Sequence, residues 1–110
     1  MQQQKNKVPK FGLLTNPSIN IIDEIKEIRR LNFDYVEIGI EGPEGNPCII
    51  VDKLNEIVKL LLKFDDKPVG HTAHWIDLGS DYERIRQAWI SEAIEEAKPK
   101  SMIKCKTSSA

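Results

Sequence analysis

Apolar positions along this chain follow two rhythms, one of two residues and one of three to four, and the two alternate. Residues 8–15 (VPKFGLLT) predict a short buried strand, closed by Asn16-Pro17. Ile21, Ile22, Ile25, Ile28 and Leu31 then fall at helical spacing. Asn20 is placed to cap that helix, with Asp23 and Glu24 in its first turn and Arg29 and Arg30 in its last, as the helix dipole favours. Asn32 takes the exit position, where a left-handed residue is needed. Residues 34–41 (DYVEIGIE) predict a second strand. Val36, Ile38 and Ile40 lie on one face of it, and Glu37, Gly39 and Glu41 on the other.

A Gly- and Pro-rich loop, EGPEGNPC, leads to a second amphipathic pattern: Val51, Leu54, Ile57, Val58, Leu61 and Leu62 inside, with Lys53, Lys59 and Lys63 outside. Asp65-Asp66-Lys67 turns the chain into a third strand, residues 68–75 (PVGHTAHW). Ser80 and Glu83 have capping-box spacing, which predicts a third helix with Tyr82, Ile85, Trp89 and Ala93 as its buried stripe. That helix is expected to fade at Ala97, because Pro99 has no N–H to continue it. The expected organisation is a disordered basic N-terminus over 1–7, one domain over 8–97 and a disordered basic tail over 98–110.

The order is therefore β-α-β-α-β-α, and the connections are too long for hairpins, so each helix crosses over between parallel strands. Both an open doubly wound sheet and a (β/α) barrel use this pattern. A dinucleotide-binding sheet wants G-x-G-x-x-G after its first strand, where this chain has TNPSIN. In a barrel the outer strand face meets helices and is apolar, while the inner face carries polar site residues. Val36, Ile38 and Ile40 suit the helix side and leave Glu37 for the lumen. The fold class expected is α/β, the first three units of a TIM-type (β/α) barrel, incomplete.

Composition narrows the function. Of 110 residues, 40% are hydrophobic and 30% charged, the profile of one ordinary soluble domain. The basic residues crowd the ends, so residues 11–97 hold nine basic and seventeen acidic groups, a net of −8. An acidic body offers phosphates no structured basic face, so nucleic acid is not an expected partner. No apolar run is long enough to span a bilayer, and no secretory signal opens the chain. Cys48 and Cys105 form no close metal-binding pair. A reduced, cytoplasmic protein is expected.

DYVEIGIE, the Gly/Pro loop and VGHTAHWIDLGSDYERIRQAWISEAIE together resemble the xylose isomerase-like TIM barrels. That group includes sugar phosphate isomerases and epimerases and the endonuclease IV-type nucleases, and the resemblance covers residues 8–97. It implies that His71 matches the histidine that the third strand brings to the barrel mouth, a zinc ligand in the nuclease branch. It also matches Asp34 and Glu37 to the Asp-x-x-Glu of strand two. The family barrel takes about 250 residues and eight units. Three are present here, and the family's main ligands and carboxylates lie on later strands. At Ala97 the sequence changes character, as in a family member cut or frame-shifted at that point.

The resemblance thus implies a metal-dependent sugar or sugar phosphate isomerase or epimerase fragment, inactive alone. The alternatives are a metal-dependent phosphodiesterase of the endonuclease IV kind and a non-catalytic self-associating or partner-binding module. Glu37 is the candidate catalytic carboxylate, and His71 and His74 are the candidate metal ligands. Adjacent strands are about 4.8 Å apart, so Glu37 and His71 can approach across strands two and three. A carboxylate there can orient the imidazole or act as a base, whereas a lumenal ion pair is the structural alternative. Any zinc, manganese or magnesium bound here is expected to be held weakly, since zinc takes three or four ligands. Asp77 is a lesser ligand candidate, or a surface residue ahead of a helix. Glu41 is expected in solvent.

Overall fold

Alternation in the second strand determines how the whole chain layers. In the computed structural model, which describes residues 9–73 and 76–108, strand β1 spans Gly12–Leu14, β2 Tyr35–Ile40 and β3 Val69–Thr72. They form one parallel sheet in the order β1-β2-β3, so the chain is α/β. Helix α1 (Ile21–Arg30) joins β1 to β2. Helices α2 (Pro47–Asp52) and α3 (Leu54–Leu61) join β2 to β3, and α4 (Glu83–Ser108) follows β3.

Val36, Ile38 and Ile40 are buried in a single cluster with Ile21, Ile22, Ile25 and Ile28 of α1, Ile50 of α2, Leu54, Ile57 and Leu61 of α3, and Ile103 of α4. All four helices therefore contribute to the core on one side of the sheet, the side chosen by the apolar positions of β2. The opposite side has no such layer among the described residues. Leu14 and Val69 point there by register with Glu37 and are 42% and 44% exposed.

Local signals explain the element ends. The Asn20 side chain accepts the N–H groups of Ile22 and Asp23, and Asn32 leaves α1 at φ 64°. Asp34 ties the start of β2 to β1, its carboxylate accepting the Phe11 N–H at 2.9 Å and its own N–H reaching the Phe11 carbonyl at 2.8 Å. At the other end Thr15 donates its N–H to the Glu37 carbonyl at 2.8 Å, and its hydroxyl accepts from Gly39 at 2.9 Å.

Several expectations change. The second helical pattern is two helices, because Asn46 caps a short α2 that starts with Pro47, and Lys53 (φ −101°, ψ 15°) breaks the run before α3. The capping box does not close: Ser80 Oγ accepts the Tyr82 N–H at 3.2 Å, but Glu83 is held by Arg86 and Gln87. The expected stripe on the third helix is displaced. Tyr82 and Ile85 are exposed, while Glu96, Pro99, Ile103 and Thr107 are buried.

The helix also does not end at Ala97: it continues to Ser108, through the stretch expected to be a tail. Pro99 removes one intrahelical bond, a loss of about 3 kcal/mol in a helix interior. Burial of Pro99, and of Ile103 in the core, offsets that loss and carries α4 to Ser108. The expected disorder of residues 1–7 lies outside the described residues. Among the described residues no helix is long and apolar enough to cross a membrane.

Candidate functional site

Register brings the two strongest sequence candidates together. Leu14 and Val69 are the partners of Glu37, and His71 is the partner of Gly39, so all five residues belong to the uncovered face. His71 sits one step further along β3 than the direct neighbour of Glu37. Its Nδ1 is 3.6 Å from Glu37 Oε1. That separation is beyond a hydrogen bond, so attraction between them depends on the imidazole being protonated. Both side chains are open to solvent, Glu37 at 34% and His71 at 46%. An exposed pair of this kind contributes at most about 1 kcal/mol to stability.

Gly39, the register partner of His71, lies close against Leu14 and Thr15. A Cβ there would sit 3.3 Å from the Thr15 carbonyl oxygen, tighter than an ordinary contact.

The remaining candidates are placed elsewhere. Asp34 is engaged by the Phe11 N–H. Asp77 is exposed and accepts the Gly79 N–H at 3.1 Å, closing a turn ahead of α4. Cys48 and Cys105 are free, exposed thiols. His74 lies outside the described residues, as does Trp75. Glu37 and His71 supply two donors, fewer than the three protein ligands of a catalytic zinc. Among the described residues no group of three or more His, Cys, Asp or Glu side chains is arranged to hold a metal ion.

A second constellation was not foreseen. Glu41, expected in solvent, is half-buried and lines a cavity of about 630 Å³ between the loop after β2 and α4, together with Glu92 and Glu96. Glu96 is only 3% exposed, and its Oε1 accepts the Ala73 N–H at 3.0 Å. Burial raises its pKa above the ordinary carboxylate value. The Ala73 N–H opposes that rise, and Glu92 and Glu41 add to it. One signal in the sequence points here: Glu92 and Glu96 are like charges at i and i+4, an unfavourable pair on a helix.

A scan against protein-family models, a search of curated proteins and a search of solved structures each give no match.

Proposed function

We propose that the chain forms one wall of a sugar or sugar phosphate isomerase or epimerase site, laid out as the first three units of a xylose isomerase-like (β/α) barrel. The observation that supports this reading is the Glu37–His71 pair on an open sheet face whose other side carries every helix. Isomerisation next to a carbonyl needs a base that removes a carbon-bound proton and returns it to the neighbouring carbon. Glu37 takes that role. His71 positions its carboxylate and donates toward the carbonyl oxygen. Substrate would lie on the uncovered face over Gly39. The opposing wall of such a pocket comes from strand ends beyond β3, so the 110-residue chain alone holds a base without the partners that orient substrate.

Nuclear magnetic resonance in deuterated water, with aldose and ketose phosphates and added magnesium, manganese or zinc, tests both halves of this reading. Millimolar sugar phosphate is expected to shift the Gly39 and His71 signals without exchange of carbon-bound protons. Absence of any shift would overturn the wall. Exchange that Glu37→Gln abolishes would overturn the dependence on further strands. Shifts caused by abasic-site duplex in place of sugar phosphate would move the assignment to the nuclease class.

The exposed Leu14 and Val69 favour a second reading: a non-catalytic module that associates through this face.

A further inference from the structure

A different cavity lies on the helix side of the sheet, at the start of β3. Its volume is about 310 Å³, and its floor is Ile38, Pro68 and Ile103. Three lysines from two elements line it: Lys67 just before β3, and Lys100 and Lys104 on α4. No carboxylate belongs to the lining, and none of the three lysines makes an ion pair among the described residues. Asp66, the neighbour of Lys67, is turned onto the Lys67 backbone N–H at 3.0 Å.

The Lys100 stem is pressed onto the strand, so close that a Cβ on Gly70 would lie 2.6 Å from its Cγ. This packing sets the direction of the side chain, as aliphatic stems of lysine do when they cover apolar surface. The helix dipole accounts for cations late in α4. It does not account for Lys67, which belongs to another segment and lines the same space. Thr107 is committed elsewhere, its hydroxyl donating to the Ile103 carbonyl at 2.7 Å.

We infer that this cavity binds a small amphipathic anion, with its oxyanion head on Lys67, Lys100 and Lys104 and a short aliphatic body over Ile38 and Ile103. An anion among these three lysines gains attraction from each, while its apolar part covers the floor. The volume lies at the small end of the range for ligand pockets. The site is separate from Glu37 and His71, which are on the opposite face of the sheet.

Calorimetric titration with octanoate tests this, with inorganic phosphate and octylammonium as comparators. Octanoate is expected to saturate, with affinity falling as salt is raised, and octylammonium to show no binding. Lys100→Gln combined with Lys104→Gln is expected to weaken octanoate by about tenfold or more, the scale of a lost charge-assisted hydrogen bond. These lysines are exposed, and far-UV dichroism verifies that the variant folds. Octanoate that fails to saturate, or that binds the variant as tightly as the parent, overturns the site. Inorganic phosphate binding as tightly as octanoate overturns the amphipathic assignment.

Discussion

The carboxylate of Glu96 accepts the backbone N–H of Ala73 at 3.0 Å, joining the middle of α4 to the end of β3. Both residues are buried, and among the described residues Glu96 is the acceptor given for that N–H. The bond has a cost built into it. A carboxylate withdrawn from water beside Glu92 and Glu41 resists ionisation, so its folded pKa is raised. A group raised in the folded state stabilises the fold when protonated. That stabilisation is complete below the ordinary value of 4.5 and is lost as pH rises through the folded value.

Stability should therefore increase as pH is lowered from neutral through the folded pKa of Glu96. Glu96→Gln keeps an oxygen for Ala73 and removes the charge, so the variant should gain most at neutral pH and lose that advantage toward 4.5. Urea midpoints across this range provide the measurement, and parallel pH profiles for the two proteins would refute the argument. Glu96→Ala should destabilise at every pH by about 1–3 kcal/mol, the penalty of a buried N–H left without a partner.

The second half of α4 is part of the fold. Ile103 belongs to the same core as Val36 and Ile38, and Ile103→Ala should cost about 2–5 kcal/mol, as buried large-to-small changes do. Removal of residues 98–110 should be worse, since it also takes away buried Pro99 and the Lys100 stem that lies on β3. A chain ending at Ala97 with an unchanged unfolding midpoint would show that this packing is dispensable.

Periodicity made the sheet legible. Val36, Ile38 and Ile40 announced the covered face, and the Glu37–His71 neighbourhood follows from two-residue alternation across adjacent parallel strands. The polar caps of α1 were equally readable, because Asn20 and Asn32 act within a few residues of themselves. What failed depends on contacts distant in sequence. Pro99 reads locally as a stop, and only burial that depends on elements distant in sequence makes it part of a helix. Tyr82 and Ile85 read as a buried stripe, but both are exposed where α4 begins, and its buried residues come from Glu96 onward. Glu96 was hidden for the same reason, since its partner is a backbone N–H that no sequence pattern marks.

Gly45 is required by close approach. A Cβ there would lie 2.1 Å from the Gly39 carbonyl oxygen and 2.8 Å from that of Glu41, both backbone atoms that cannot swing aside. Gly45→Ala should push the loop off the end of β2 and cost about 1–3 kcal/mol, the scale of overpacking. Because Gly39 also flanks His71, the variant should shift the His71 resonance. Thermal melts within error of the parent would show that the loop moves freely.

The uncovered face predicts association. Leu14 and Val69 stand on it beside Glu37 and His71, and β1 and β3 each leave one edge of the parallel sheet unpaired among the described residues. An open edge presents backbone donors and acceptors, and an exposed apolar patch adds a driving force that grows with the area removed from water. Light scattering at micromolar concentration should report a mass above the 12.6 kDa of one chain. Leu14→Glu combined with Val69→Glu places like charges next to Glu37 and should return the protein to monomer. Both positions are substantially exposed, so the substitutions leave the core of Val36, Ile38 and the helices intact. A parent chain that is monomeric and well ordered by near-UV dichroism would remove the module reading, because the open face would then be stable in water without cover.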